Sequence, residues 1–354
     1  MALHKNRNMA GAALLAAIFL LSVLAGCAGQ HAAADTAEAP AFSDTEAPAF
    51  SVTSDPLAEG LVADVTEVAD VIIEEEAVAL AEAPAAVPTG VSAVAAGTLQ
   101  KKNASAVIDY SNTGHGYVMV QYTAQTQQRL KVQIKGPTTK YTYNITAGKW
   151  EVFPLSDGNG SYQITVYQNV TGSKYAAVLS VTTAVALANE FEPFLHSNQY
   201  VDYDAAPKTV AKAAELTAGI EDPLKKVEAV YNYVVKGMTY DRELAATVKS
   251  GYLPVLDTVL ESKKGICFDY VALMTGMLRS QGIPCKLVVG YAGKVYHAWI
   301  GVWSESTGWV DGVIWFNGSS WQRMDPTFAS SGNSSESIMA YIGDGTNYSA
   351  KYFY

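Results

Sequence analysis

The chain has 354 residues and a formal net charge of −10, with 49% hydrophobic and 16% charged residues. This length is enough for two ordinary globular domains and additional segments. The sequence contains no Gly-rich phosphate-binding loop and no basic patch for nucleic acid, which argues against nucleotide-binding and nucleic-acid-binding proteins. It also lacks the ligand spacing of zinc sites and the acidic loop of calcium sites, so we expect neither a metal nor another cofactor.

The first 27 residues have the layout of a secretory leader. Two basic residues precede an apolar run over residues 10–25, which leads into Leu24-Ala25-Gly26-Cys27. This layout resembles a bacterial lipoprotein signal, and the resemblance implies cleavage before Cys27 and diacylation of the Cys27 sulfur. A plain signal peptide and an N-terminal membrane helix are the alternatives, although the run is short for a membrane span. We therefore expect an extracytoplasmic lipoprotein anchored to the cell membrane.

Residues 28–97 form an acidic tract with 13 Asp or Glu residues and no Lys or Arg. Ala, Pro, Ser and Thr supply most of the remainder. The leader carries a charge of +2, this tract −13 and the rest of the chain +1, so the acidity of the protein resides in the tract. Such a composition buries too little apolar surface to offset the loss of chain entropy, which predicts a disordered linker.

Residues 98–187 predict an all-β domain. Short runs rich in Tyr, Val and Thr are separated by turn signals, which is typical of a sandwich of short strands. The seven predicted strands are residues 106–110, 116–122, 130–135, 141–145, 149–153, 162–167 and 175–184. We expect an immunoglobulin-like sandwich without catalytic residues, which acts as a spacer or, through exposed tyrosines, as a recognition domain.

Residues 188–354 change to a mixed pattern of helices and strands. Helices are predicted over residues 207–218 and 223–236, the second with Asp222 as its N-cap. A third helix is predicted to begin at Cys267 and to stop at Gly282, because apolar residues recur there with the spacing of one buried helical stripe. The next segments, 285–291 and 295–303, are predicted strands.

Cys267 is the candidate nucleophile of this region. Gly265 suits a sharp turn into the helix, which places Cys267 at the helix N-terminus, where unpaired backbone N–H groups and the helix dipole favour an anion. A thiol in this position becomes a thiolate more readily. Asp269 is expected to complement the same dipole without a catalytic role of its own, and Cys285 is expected to pack in the core.

A base and a carboxylate that orients it are predicted downstream of Cys267. His297 lies early in a strand, and a later hairpin with Asn317-Gly318 as its turn ends at Asp325-Pro326. Pairing of the second hairpin strand is expected to bring Asp325 beside His297. The three residues then form a candidate Cys-His-Asp triad.

The segments KGICFDYVALMTGMLRSQGIPCKLVVGY, HAWIGVW and WQRMDPTF agree in residues and order with one known family. Together they resemble the transglutaminase-like superfamily of cysteine enzymes over roughly residues 200–330. The resemblance implies a papain-like α+β core with Cys267 as nucleophile, His297 as base and Asp325 as the group that orients the imidazole.

Two further features bear on the cleft. The segment Met238-Thr239-Tyr240-Asp241 resembles a short family motif, which implies that Tyr240 lines the active site; the oxyanion donor is either the backbone N–H of Cys267 or a side chain from this segment. The insert between the His and Asp strands is longer than the hairpin usual in the family. We expect its aromatic residues to form an apolar rim near the triad: Trp309, Trp315 and Phe316.

These features predict an enzyme that transfers the acyl group of an amide through a thioester on Cys267. Water as the acceptor makes it a protease or deamidase, which we favour because nothing marks a lysine-accepting tunnel. A lysine amine as the acceptor makes it a transglutaminase.

The expected substrate is a polypeptide of the cell envelope or a secreted protein, and nucleic acid is not expected as a partner. The alternative is a non-enzymatic surface module for binding or adhesion. The oligomeric state does not follow from the sequence.

Overall fold

The computed structural model describes residues 92–305, 308–311, 314–316, 321–323, 327 and 347–354. The predicted leader with Cys27, most of the predicted linker and Asp325 lie outside these residues. Within them, no helix combines the length and the hydrophobicity that a membrane crossing requires.

The first described region is all-β, and its described residues form eight strands. They are β1 (Gln100–Lys102), β2 (Ala106–Asp109), β3 (Tyr117–Tyr122), β4 (Leu130–Lys135), β5 (Lys140–Ile145), β6 (Trp150–Pro154), β7 (Gly160–Thr171) and β8 (Lys174–Val185). Strands are present at all seven predicted places. β1 was not predicted because its three exposed residues show no apolar alternation.

These strands form two antiparallel sheets, one with the order β1-β2-β3-β6 and the other with the order β5-β4-β7-β8. Alternation along each strand directs every second side chain to one face. Ile108 and Val120 of the first sheet and Ile134 and Val166 of the second are buried in a common core. Burial of these apolar side chains stabilises the pair of sheets by about 0.8 kcal/mol for each methylene group removed from water.

The second region mixes helices and strands. Its described helices are α1 (Pro207–Thr217), α2 (Pro223–Gly237), α3 (Arg242–Thr247), α4 (Leu256–Ser262) and α5 (Cys267–Ser280). Its described strands are β9 (Thr239–Tyr240), β10 (Lys264–Gly265), β11 (Cys285–Ala292), β12 (Val295–Ser304), β13 (Gly308–Asp311), β14 (Ile314–Phe316), β15 (Trp321–Arg323) and β16 (Tyr348–Phe353). The predicted N-cap of α2 is confirmed, because the Asp222 side chain accepts a hydrogen bond from the Leu224 N–H at 2.8 Å. The predicted α+β class of this region is confirmed as well.

Helix α5 is the central element of the second region. Helices α1, α2 and α4 pack around it, and β11 and β12 pack against it as well. Every residue of α5 is buried, so the prediction of a single buried stripe is wrong. Asp269 and Arg279, which a one-sided helix would expose, are buried and hydrogen-bonded to other segments. The predicted stop is confirmed, since Gly282 has a φ of +73°, a left-handed conformation that favours glycine.

Strands β11 and β12 form the centre of a four-stranded antiparallel sheet with the order β13-β12-β11-β16. Their register places Gly290 opposite His297 and Val288 opposite Trp299. The end of β11 therefore lies beside the start of β12, at the end of the sheet where the candidate base is found.

Strands β14 and β15 form a separate antiparallel pair in which Phe316 lies opposite Trp321. The predicted pairing of these two strands is therefore confirmed, while the turn Asn317-Gly318 lies outside the described residues. Among the described residues, however, β15 pairs with β14 and β12 pairs with β11 and β13. The predicted pairing that brings Asp325 beside His297 involves residues outside the described ranges and stays a prediction.

The two regions share one buried aromatic interface. Tyr141 and Tyr143 on β5 pack edge-on against Tyr354, with ring centres 5.8 and 5.9 Å apart. Tyr200, which lies between the two regions in the chain, stacks on Tyr354 with a ring separation of 4.0 Å. These contacts hold the all-β region against the end of β16, and thus against the sheet that contains β12.

Arg279 joins several of these parts from within the core. Its guanidinium donates hydrogen bonds to the carbonyl oxygens of Cys285 at 2.9 and 2.7 Å, of His196 at 2.8 Å and of Tyr354 at 2.5 Å. Burial lowers the pKa of Arg279 to about 10, because the charged form is taken out of water. The end of α5 is thereby tied to β11, to the segment between the regions and to the end of β16.

Candidate active site

Cys267 is the first residue of α5, as predicted. The preceding N-cap residue, Ile266, has an extended backbone conformation with a φ of −91° and a ψ of 177°. The N–H groups of a first helical turn lack intrahelical acceptors and lie at the positive end of the helix dipole. Cys267 therefore lies at the end of the helix that favours an anion.

The lead-in turn, Gly265–Ile266, is fixed by a neighbouring strand. Strands β9 and β10 pair in parallel, with Tyr240 opposite Gly265. The Asp241 N–H donates a hydrogen bond to the Gly265 carbonyl at 2.8 Å. Tyr240 is half-buried beside this turn, so the structure brings it next to the segment that precedes Cys267. Tyr240 could line the active site, as predicted, only from a position close to this segment.

Asp269 lies in the first turn of α5 and is completely buried. Its Oδ1 accepts a hydrogen bond from the Tyr252 hydroxyl at 2.6 Å, and its Oδ2 accepts one from the Ile266 N–H at 2.8 Å. Burial raises the pKa of Asp269 to about 6, although the two hydrogen bonds favour the ionised form and oppose part of the shift. The carboxylate thus holds the backbone that precedes Cys267, in addition to its predicted effect on the helix dipole.

His297 is the third residue of β12 and is buried. Its ring is nearly parallel to that of Trp299, with centres 6.3 Å apart, and lies 6.4 Å from the ring of Tyr348. Strand alternation places His297 and Trp299 on one face of β12 and Tyr296 and Ala298 on the other. Ala298 is part of the buried hydrophobic core. His297 therefore lies on the face of β12 that also carries Trp299.

Tyr296 connects the start of β12 with Cys267. Burial raises the pKa of Tyr296, and the charges of nearby tyrosines and of a Cys267 thiolate add to this effect. A Coulomb interaction of this kind requires proximity, since its energy falls with distance. Tyr296, the residue before His297, therefore lies near Cys267, while contact between the His297 ring and the Cys267 thiol stays a prediction.

Tyr252, which contacts Asp269, and Tyr296, which lies near Cys267, were not predicted from the sequence. Tyr296 directly precedes the predicted base, which is the one sequence signal that points to it. Tyr252 lies in a connecting segment before α4 and carries no such signal, because its contact with Asp269 depends on how that segment packs against α5.

The insert after β12 begins with β13, whose Trp309 was expected at a rim near the triad. Trp309 pairs with Trp303, six residues beyond His297, which corresponds to about 20 Å along an extended strand. The Lys286 ammonium lies 3.6 Å from the centre of the Trp309 indole ring. Trp309 therefore belongs to the far part of the sheet, and the prediction of its place beside the triad is wrong.

The other members of the predicted site lie outside the described residues. They are Asp325 and the side chains of Trp315 and Phe316. The third member of the triad and the rest of the rim consequently stay predictions.

Cys285 is buried, as Cys267 is, but it lies at the start of β11 and its Sγ is 3.6 Å from the Thr275 hydroxyl. Burial raises the pKa of the Cys285 thiol to about 11, which favours its neutral form at physiological pH. The predicted role in core packing is confirmed. Within the described ranges, no three His, Cys, Asp or Glu side chains cluster as metal ligands would.

Curated relatives match part of the chain. The uncharacterized protein YebA of Bacillus subtilis is 25% identical over 222 residues, which cover 55% of this chain and 29% of YebA. The protein-glutamine gamma-glutamyltransferase of Pseudomonas aeruginosa is 28% identical over 121 residues, which cover 29% of this chain and 17% of that protein. The chain thus spans less than a third of the length of either relative.

Solved structures resemble this chain weakly. A candidate cysteine protease from Cytophaga hutchinsonii has a TM-score of 0.34 and 15% identity, covering 67% of this chain and 75% of its own. The periplasmic domain of TgpA from Pseudomonas aeruginosa has a TM-score of 0.29 and 18% identity, covering 68% and 78%. The sequence model of the transglutaminase-like superfamily matches residues 210–326, a segment that includes Cys267, His297 and Asp325. Residues 210–326 of this chain are therefore similar to the core domain of the transglutaminase-like superfamily.

Proposed function

We propose that this chain is a surface-anchored cysteine enzyme that transfers the acyl group of an amide in a polypeptide through a thioester on Cys267. The observation that carries the proposal is that Cys267 begins the buried helix α5 within the segment that matches the superfamily. The positive end of a helix dipole favours a thiolate, and the thiolate is the nucleophilic form of cysteine.

In the first half of the proposed reaction, His297 takes the proton of the Cys267 thiol. The sulfur attacks the amide carbonyl carbon, and N–H donors at the start of α5 hold the resulting oxyanion, with Tyr240 as a further donor. The C–N bond then breaks, the imidazolium proton passes to the departing ammonia or amine, and a thioester remains. Asp325 orients the imidazole throughout.

In the second half, an acceptor resolves the thioester. Water attacks the carbonyl carbon while His297 takes its proton, the C–S bond breaks, and a carboxylic acid is released as the thiol is restored. This hydrolytic branch, protease or deamidase, is the one we favour. A primary amine in place of water forms a new amide. This second branch is supported by the P. aeruginosa relative, which is named a protein-glutamine gamma-glutamyltransferase.

The proposal includes the parts that precede the core. Cys27 is the lipidated N-terminus of the mature protein, and residues 28–97 are the tether that follows it. The all-β region is an immunoglobulin-like sandwich, supported by its strand orders β1-β2-β3-β6 and β5-β4-β7-β8. Mass spectrometry of the protein from envelopes is expected to find a diacylated Cys27. A mature chain that begins elsewhere without acyl groups would contradict the anchor.

The proposed activity is tested with glutamine-containing polypeptides, with and without a labelled primary amine. Mass spectrometry follows peptide cleavage, ammonia release and label incorporation. We expect hydrolysis to exceed label incorporation, to vanish in Cys267→Ala and to persist in the matched variant Cys285→Ala. Label incorporation that outpaces hydrolysis would assign the transglutaminase branch. The absence of any product that depends on Cys267, across a broad panel of envelope proteins, would favour the binding module without enzymatic activity.

A further inference from the structure

Asp269 has no role in the proposed reaction, although it lies close to Cys267. One residue separates it from Cys267, so both lie in the first turn of α5. The Asp269 side chain is completely buried. Burial of a carboxylate is unfavourable unless hydrogen bonds compensate for the lost water. The two groups that supply such bonds indicate what the carboxylate does.

The first group is the backbone of the lead-in turn. The Ile266 N–H donates to Oδ2 of Asp269 at 2.8 Å. Gly265 packs against the same side chain so closely that a Cβ atom on Gly265 would lie 2.4 Å from the Asp269 Cβ. Both residues of the lead-in turn rest on Asp269, so the direction in which the chain enters α5 at Cys267 depends on this side chain.

The second group is the Tyr252 hydroxyl, which donates to Oδ1 at 2.6 Å. Tyr252 lies in the segment between α3 and α4, so this contact anchors Asp269 from outside its own helix. The Tyr252 ring also packs edge-on against Phe268, with centres 6.4 Å apart. Because a hydrogen bond to the ionised form favours ionisation, Tyr252 offsets part of the unfavourable burial.

Other ionisable groups surround this arrangement. The charge of Asp241 opposes ionisation of Asp269, in the same direction as burial. Lys264 on β10 forms an ion pair with Asp241 at 3.1 Å and so weakens that repulsion. Cys267 in the same helical turn is a further titratable neighbour.

We propose that Asp269 is the positioning residue for Cys267: its ionised carboxylate, held by Tyr252, fixes the lead-in turn and keeps the thiol at the helix N-terminus. The inference rests on the proposed function for the role of the thiol, but not for the geometry of the turn. When the carboxyl takes up a proton, one oxygen becomes a donor and no longer accepts well from Ile266 or Tyr252. The turn then loosens, and the thiol leaves the N–H groups that stabilise its thiolate.

The first experiment measures the rate at which iodoacetamide alkylates Cys267 in the full chain as a function of pH, read peptide by peptide with mass spectrometry. Burial raises the pKa of Asp269 to about 6, so the wild-type profile is expected to contain a step near this pH. Asp269→Asn cannot ionise and, like the protonated carboxyl, has only one acceptor oxygen, so this variant should react slowly at every pH and show no step. Tyr252→Phe removes a bond that favours the ionised form, so the step should move to higher pH.

Asp269→Ala removes both hydrogen bonds. We expect alkylation of Cys267 to slow by about tenfold at neutral pH, which corresponds to roughly 1.4 kcal/mol of lost thiolate stabilisation at the helix N-terminus. The matched control is Asp257→Asn, which alters a carboxylate that accepts from the Thr209 N–H at 2.8 Å at the start of another helix. This control should leave the Cys267 profile unchanged.

Hydrogen exchange of the peptide that contains Ile266 provides a second readout, independent of thiol chemistry. Asp269→Ala should speed exchange of this amide, and Asp269→Asn, which keeps one acceptor oxygen, should speed it less. A wild-type profile without a step near pH 6, a step that survives in Asp269→Asn, or unchanged exchange in Asp269→Ala would overturn the inference. Failure of the proposed function looks different: Cys267 would react no faster than a denatured thiol, while the exchange of Ile266 would still respond to Asp269.

Discussion

At the scale of a single residue, two opposing effects act on the pKa of Asp269. Burial favours its neutral form, and the hydrogen bonds from Tyr252 and Ile266 favour its ionised form. Burial is the larger effect, so the native protein holds the carboxyl proton more tightly than the unfolded chain does. Ionisation of Asp269 therefore lowers the stability of the fold at neutral pH. Such a loss of stability is common at functional sites.

The pH dependence of stability tests this balance. The pKa of Asp269 rises from 3.8 to about 6 on folding, so its stabilising contribution is fully present below pH 3.8 and is lost as the pH rises through 6. The loss amounts to about 3 kcal/mol. Asp269→Asn cannot ionise, so its free energy of unfolding relative to wild type should increase between those pH values. Urea unfolding at several pH values measures this, and a difference that does not vary with pH would contradict the shift.

The position of Cys267 could be predicted at this scale because its signals are local. Gly265 precedes the helix, and the apolar residues after Cys267 recur with helical spacing. The partners of Asp269 and Arg279 could not be predicted in the same way. They come from segments far along the chain, such as Tyr252, His196 and Tyr354, and only the packed fold brings them to α5.

At the scale of the elements, β11 and β16 approach each other unusually closely. A Cβ atom on Gly290 would lie 2.1 Å from the Ser349 carbonyl oxygen and 2.7 Å from the Trp299 ring. The register between the two strands shifts at this point, between Val289 and Gly290. Glycine is therefore required sterically where β16 crosses beside the candidate base.

Gly290→Ala should destabilise the protein by about 3 kcal/mol or more, because the obstructing atom belongs to the backbone and cannot turn aside. Urea unfolding provides the measurement. The matched control is Gly237→Ala at the end of α2, where an added Cβ meets nothing within 4 Å and the change should stay within about 0.5 kcal/mol. Equal stability of the two variants would contradict the close approach of β16.

The strands also illustrate what a sequence pattern can specify. The turn signal at Asn317-Gly318 correctly predicted that the flanking strands pair, with Phe316 opposite Trp321. It did not specify which sheet the hairpin joins, and Trp309 was placed wrongly for the same reason. Sheet membership depends on contacts between elements that are distant in the sequence, which alternation and turn signals do not contain.

At the scale of the whole molecule, the all-β region is packed against the core through aromatic side chains. Tyr200 is buried between Tyr143 and Tyr354, and its ring also lies 5.7 Å from that of Phe268, the residue after Cys267. The all-β region therefore belongs to the structural surroundings of the candidate nucleophile. A role as a mere spacer does not require such an interface.

Tyr200→Ala tests this coupling between the regions. Loss of a buried aromatic ring should lower the free energy of unfolding by about 3–5 kcal/mol, and thermal unfolding should show one cooperative transition that moves to lower temperature. Tyr200→Phe keeps the ring and should cost only about 1 kcal/mol. Two separate transitions, of which Tyr200→Ala shifts one, would indicate that the regions fold independently.

The central claim is that Cys267 is a nucleophile activated by His297, and the rate of its alkylation in the folded protein tests this most directly. Peptide-resolved mass spectrometry can compare Cys267 with the buried Cys285 in wild type and in His297→Ala. We expect Cys267 of wild type to react well below about pH 8.5, where an ordinary thiol is still largely protonated, while Cys285 stays unmodified. His297→Ala should lose this reactivity at low pH. The same pH profile in wild type and His297→Ala would contradict the account.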